Sequence, residues 1–229
     1  MSIEISWHGH NTWTIQTGSH RLVVDPFFDD NPSSTLKSDD VEADFVLISH
    51  GHFDHIADAA KIANRTGATC IAIFEIAQWL ASEHSVSNTV GMNIGGGTDQ
   101  LFGNMKLTPA IHSSQLPDGS NGGVAGGILL TIDQKKVYFA CDTALFSDMQ
   151  LIGRGGIDLA VVPIGDLFTM GPAESVEAIK LLRPKLVMPC HYNTWPPIEQ
   201  DAGDWAESVR SNTDCEPIVM KSGESFDLD

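Results

Sequence analysis

Basic residues are scarce in this chain. Thirteen lysines and arginines stand against thirty aspartates and glutamates, a formal net charge of -17. Such a surface repels polyanions and offers no basic stripe to follow a nucleic-acid backbone, so the reading is of a protein with no nucleic-acid partner. Long apolar runs are missing too. Nothing approaches the roughly 18 apolar residues that span a bilayer, and residues 1–7 lack a cationic start leading into an apolar stretch. The expectation is a soluble, cytoplasmic protein with no membrane span. Cysteine is sparse: Cys70, Cys141, Cys190 and Cys215 occur singly, three of them in apolar strand-like runs, which points to buried free thiols rather than disulfides. No Pro/Ser-rich or charged linker divides the chain, so residues 1–229 are read as a single domain around one sizeable core. The glycine clusters Gly95-Gly96-Gly97 and Gly122-Gly123 are followed by no G-K-[ST] and open no helix; they read as turns, not phosphate loops.

Histidine, by contrast, is concentrated. In Ser49-His50-Gly51-His52-Phe53-Asp54-His55-Ile56, four candidate ligands fall within six residues, directly after the apolar strand-like run 45–48. Imidazole and carboxylate together suit a divalent metal such as zinc, manganese or iron, whereas structural zinc sites more often recruit thiolates. Gly51 is expected to permit the sharp turn, and Asp54 to cap a helix over 57–65, aiming His55 back at the strand end. One loop could then serve two metals, His50 and His52 facing one, Asp54 and His55 the other.

The rest of the chain supplies further strand ends. Strands are read over 3–7, 13–17 and 21–24, the last ending at Asp25 before Pro26. A related unit recurs 117 residues later, aligning Thr14-Ile15 with Thr131-Ile132 and Asp25 with Asp142. Residues 29–40 read as a surface loop near the site mouth. Strand 69–74, helix 76–83, a strand-like run 105–111 that delivers His112 at its end, and hairpin strands 127–132 and 136–141 follow. Helix 147–152, strand 159–163, helix 173–182, strand 186–189 before His191, helix 205–211 and strands 217–220 and 225–228 complete the chain. This alternation favours helices packed on sheet faces. His50, His112, Asp142 and His191 each follow an apolar run, so one edge of a sheet sandwich could collect them. Asp25 reads either as a partner of a ligand histidine or as a turn cap. His8 and His10 could line the cleft or be satisfied turn histidines. Tyr192, Asn193, Thr194 and Trp195-Pro196-Pro197 could contact substrate or pack a loop. Phe27, Phe28, Leu167 and Phe168 are candidates for an apolar rim or the core.

His50-x-His52-x-Asp54-His55, with the later residues, resembles the metal signature of the metallo-β-lactamase superfamily. The resemblance implies an α/β fold, a four-layer αβ/βα sandwich of two mixed sheets with helices outside. It also implies two divalent metal ions: His50, His52 and His112 on one, Asp54, His55 and His191 on the other, and Asp142 bridging both. From Trp7-His8-Gly9-His10 through Val187-Met188-Pro189-Cys190-His191 the chain looks most like small metal-dependent hydrolases near the L-ascorbate-6-phosphate lactonases; more distant relatives cleave phospholipid phosphodiester bonds. The expectation is a dinuclear hydrolase that uses a metal-bridging hydroxide on a small ester or lactone, with Asp54 and His191 as catalytic residues. The alternatives are a phosphodiesterase of phospholipase D-like type and a non-catalytic metal-binding sensor. A small-molecule substrate is expected, and a homo-oligomer is left open. No Arg or Lys lies in the ligand loops, which weighs against a sugar phosphate.

Overall fold

A computed structural model of the chain describes residues 2–229. Its first half holds β1 (Ile3–Trp7), β2 (Trp13–Thr17), β3 (His20–Val24), β4 (Phe45–Leu47), β5 (Thr69–Ile73) and β6 (Thr89–Met92), with helices α1 (Phe53–Ile56), α2 (Ala59–Thr66) and α3 (Phe74–His84). The second half holds β7 (Gly97–Gln100), β8 (Gly103–Pro109), β9 (Gly126–Ile132), β10 (Lys135–Phe139), β11 (Ile157–Pro163), β12 (Pro184–Cys190), β13 (Glu216–Pro217) and β14 (Ser225–Leu228). Its helices are α4 (Met149–Gly153), α5 (Pro172–Leu182) and α6 (Ala202–Asn212).

Among the described residues the strands form two seven-stranded sheets, β14-β1-β2-β3-β4-β5-β6 and β13-β12-β11-β10-β9-β8-β7. Each is mixed: an antiparallel hairpin run leads into parallel strands, β3 to β6 in one and β10 to β13 in the other. The helices lie outside, which makes the α/β sandwich of the metallo-β-lactamase fold. The parallel strands are apolar almost throughout because both of their faces are covered: β4 is buried at every residue and β11 at all but Asp158. Side chains from both sheets, Trp13, Leu47, Phe139 and Val161 among them, join one hydrophobic cluster.

The two halves correspond, but not in the register that the sequence match suggests. Thr17↔His20 closes the first hairpin and Ile132↔Lys135 the second. The amide of Asp25 then bonds Leu47 as the amide of Ala140 bonds Val161, so Asp25 falls opposite Ala140 and not opposite Asp142. Other boundaries also moved. The last predicted strand before β14 shrinks to the two residues of β13, and α6 starts at Ala202 because Asp201 accepts from the amides of Gly203 and Asp204. Helix α2 begins at Ala59 and ends at Thr66, capped by Gly67, whose φ of 77° suits the left-handed position.

Loop 29–40 does not border the site. The Asp58 carboxylate accepts from the amides of Phe28 and Asp29, and Asp29 pairs with Lys61, which ties the loop to α2 instead. All four cysteines are free and buried.

Candidate metal centre

The loops beyond the C-terminal ends of β3, β4, β8, β10 and β12 converge between the two sheets. They bring Asp25, the His50–His55 loop, His112, Asp142 and His191 together, as strand-end positions in the sequence suggest. Three ring nitrogens form one group: His50 Nε2 lies 3.0 Å from His52 Nδ1, and His112 Nε2 lies 3.2 Å from the same atom. His10, Asp54, His55 and His191 form a second group of mutually close donor atoms. Asp142 stands between them. Its Oδ2 is 3.9 Å from His50 Nε2 and 3.5 Å from His112 Nε2 on one side, and 3.4 Å from His55 Nε2 and 3.1 Å from His191 Nε2 on the other.

Asp54 reaches this place differently from expectation. It caps no helix: the turn α1 starts at Phe53 with His52 as its N-cap, so Asp54 sits inside the first turn with its carboxylate turned to His10. His10 Nε2 donates to Asp54 Oδ2 at 2.9 Å, and His10 Nδ1 accepts from Thr194 Oγ1 at 2.8 Å. The backbone carbonyl of His10 also accepts from the amide of His191. His10 is thus a satisfied turn histidine, at φ 54°, and part of the centre at once. His8 is not; it bonds Thr14 and packs on Phe28.

Asp25 braces the histidines from behind. Its Oδ2 accepts from His55 Nδ1 at 2.8 Å, Asn11 Nδ2 at 2.8 Å and Ser49 Oγ at 2.6 Å, while Oδ1 accepts from the amide of Ser49 at 2.8 Å. Ser49 Oγ in turn accepts from His50 Nδ1 at 2.9 Å. This network places a proton on Nδ1 of both His50 and His55 and turns each Nε2 toward the cluster. Ser49 and Asn11 carried no signal in the sequence, since short polar residues beside turns are common, and Thr194 was read there only as a substrate or loop-packing residue.

Gly51 works by close approach. Its φ is not left-handed; a Cβ there would lie 3.3 Å from the Gln115 carbonyl oxygen and 3.2 Å from Leu116 Cδ2. Cys141 likewise departs from the extended backbone expected of it, with φ 54°, yet its thiol points back to the Phe139 carbonyl, away from the donor groups.

The donor set fits a metal on several counts. One proton on His52 Nδ1 cannot serve both His50 and His112. His55 Nε2 and Asp142 Oδ1 are buried without a partner. Burial alone would raise the Asp142 carboxyl, but the His191 and His55 rings outweigh it and hold it well below the usual carboxylate range. Burial would likewise lower His55, yet Asp142, Asp54 and Asp25 push it well above an ordinary histidine. Three carboxylates around one buried ring make a field that a bound cation relieves. Burial and the neighbouring His55 keep His50 well below its usual value, in the neutral form that can ligate.

Asp54, His52, His112, Asp142 and His191 face a cavity of about 730 Å³. Phe168 lines it, as do Trp195 and Pro197; Leu167 does not, and Phe27 and Phe28 are core residues. Of the two readings of Tyr192 and Asn193, their contacts favour loop packing: His191 adopts φ 54° and turns the chain, Tyr192 stacks on Trp7 at 5.4 Å and Asn193 bonds Gln200 to close its own loop.

Residues 20–192 match the family model described as the beta-lactamase superfamily domain, and the chain belongs to that superfamily. Within it the chain belongs to the UPF0173 metal-dependent hydrolases. It is 43% identical to the one from Thermus thermophilus over 227 residues, 99% of this chain and 100% of that one. To the one from Bacillus cytotoxicus it is 44% identical over 232 residues, again 99% and 100% of the two chains. A solved metallo hydrolase from the hyperthermophilic archaeon Ignicoccus hospitalis superposes with a TM-score of 0.89 at 35% identity, covering 100% of this chain and 99% of that one. Among the described residues no helix is long and apolar enough to cross a membrane.

Proposed function

We propose that this metal-dependent hydrolase opens a small ester or lactone at a pair of divalent ions. His50, His52 and His112 would hold one ion, Asp54, His55 and His191 the other, and Asp142 would be shared. The observation that carries the pairing is the position of Asp142 Oδ2, within 3.9 Å of ring nitrogens from both donor groups. When bound, the two ions supply an attacking water acidified toward neutral pH and positive charge for the oxygen that gains electrons.

The protein's own groups do the rest. Hydrolysis joins the water oxygen to the carbonyl carbon and breaks the ester C–O bond, so a proton must travel from the water to the freed alkoxide. Asp54 faces the cavity and is assigned that proton. His10 engages its Oδ2, which directs the proton to Oδ1. Burial opposes ionisation of Asp54, but His55 and His10 more than offset it and hold the carboxyl below its usual range. A base that weak releases its proton readily to the leaving oxygen. His191, on the cavity wall, lies 3.1 Å from Asp142 and holds the carboxylate that the two ions would share. Among the described residues no lysine or arginine lines the cavity, so a phosphodiester would depend on the metals alone.

The test is hydrolysis of a simple lactone and of an activated phosphodiester by the metal-loaded protein, with Asp142→Ala alongside. Lactone opening that is faster than phosphodiester cleavage, and that falls by at least about a hundredfold together with metal content in the variant, is expected. Full rate with two ions still bound in Asp142→Ala would contradict the assignment.

A further inference from the structure

We propose that the part of the substrate beside the scissile bond is uncharged and carries an aromatic or similarly flat apolar ring; this rests on the ester or lactone reading of the same site. The cavity is large enough, at about 730 Å³, for a ligand of a dozen or more heavy atoms. Among the described residues its only ionisable wall residues are His52, Asp54, His112, Asp142 and His191, all of them in the candidate metal centre. The remaining wall is Phe53, Leu116, Pro117, Phe168, Trp195 and Pro197, with Ser113 and Gln115 as neutral polar groups.

Two of these side chains are large, apolar and exposed: Phe53 is 53% and Phe168 54% accessible. They come from separate segments, α1 and the loop before α5, yet both face the same space. Apolar rings left open to water at one cavity mark a binding surface. The wall is also continuous and firmly backed. Phe53 packs edge-on against buried Phe27 at 5.7 Å and lies 6.1 Å from Trp195, whose ring meets His10 at 4.9 Å. Aromatic surface therefore runs from the mouth down to the inner donor group.

Charge decides between tails of different kinds. Among the described residues an anionic tail finds no lysine or arginine on the wall and meets a protein of net charge -17. A cationic tail could use the ring faces, but the wall's carboxylates, Asp54 and Asp142, are those assigned to the ions. A neutral ring is left, stacked on or wedged between Phe53, Phe168 and Trp195. Hydrolysis then turns a neutral substrate into a carboxylate, which that same wall cannot hold by charge.

The experiment compares three γ-butyrolactones with one scissile bond, bearing phenyl, methyl or carboxylate at the γ carbon, on the metal-loaded protein. The phenyl lactone should exceed the methyl one in kcat/KM by roughly ten- to a hundredfold, the range for burying one aromatic group, and the carboxylate should be the poorest. Trp195→Ala and Phe168→Ala should each shrink the phenyl-to-methyl ratio. Binding is read separately with the neutral fluorophore N-phenyl-1-naphthylamine, whose emission should rise on wild type, fall when phenyl lactone is added, and stay low with Phe168→Asp. If no lactone is opened but the fluorophore binds and Phe168→Asp abolishes it, the ester chemistry is wrong and the neutral-ring inference stands. If lactones are opened with no phenyl advantage, with the carboxylate preferred, or with fluorophore binding unchanged in Phe168→Asp, the inference is overturned and the chemistry stands.

Discussion

His52 and His112 are partly exposed, whereas His55 and Asp54 are buried. The latter two are held far more tightly. His55 is fixed through Nδ1 by Asp25, which also accepts from Ser49 and Asn11, and Asp54 is fixed by the chain from His10 to Thr194. On the outer side His52 has Ser113 Oγ at 3.1 Å, an exposed residue. His50 alone shares the inner bracing, through Ser49. The contrast teaches that the inner donors are preorganised by the first sheet and its loops, while the outer ones have fewer buried partners to hold them. Preorganised donors bind more tightly because less freedom is lost on ligation.

Removing the brace should have the largest effect. Asp25→Ala leaves His55, Ser49 and Asn11 without their buried acceptor, and a loss of about 4 kcal/mol of stability is expected. Denaturant melts of the metal-free protein measure it. Full stability would mean that the network holds nothing in place. His10→Ala should act on one side only. Inner-site affinity should fall about ten- to a hundredfold, the usual cost of losing a ligand's hydrogen-bond partner, with the outer site little changed. Chelator competition resolves the two, and equal losses at both would erase the contrast.

The smallest effect separates the centre from the loop that carries it. Burial pushes His8, two residues before His10, down to about 4, below its unfolded value of 6.5. The unfolded chain therefore binds a proton that the folded chain refuses, so this contribution is complete above pH 6.5 and is lost as pH falls toward 4. Between pH 7 and 5 the loss is about 2 kcal/mol. His8→Gln should flatten the stability profile by about that amount in metal-free protein, and an unchanged profile would place the acid sensitivity elsewhere.

How much of this could be read from the sequence follows from distance along the chain. His50, His52, Asp54 and His55 were legible because four donors crowd one strand end. His112, Asp142 and His191 were legible as donor types at the ends of apolar runs. Helices packed on sheet faces followed from the alternation of strands and helices, and the two-sheet sandwich from the resemblance to the superfamily, but the two halves match in a register two residues from the one the sequence suggests, since the pairing of Ile132 with Lys135 depends on turn geometry. Adjacency to His191 could not decide between substrate contact and loop packing for Tyr192 and Asn193, because that depends on the left-handed φ at His191. The bond from His10 to Asp54 joins two loops, and no local pattern announces it.

The central claim is that Asp142 unites two ion sites of unequal strength. Titrating metal-free protein with zinc or manganese by calorimetry tests it most directly. Two equivalents per chain, bound in separate steps and reduced to at most one strong step in Asp142→Asn, are the predicted result. A single equivalent in wild type, or two unaltered steps in the variant, would contradict it.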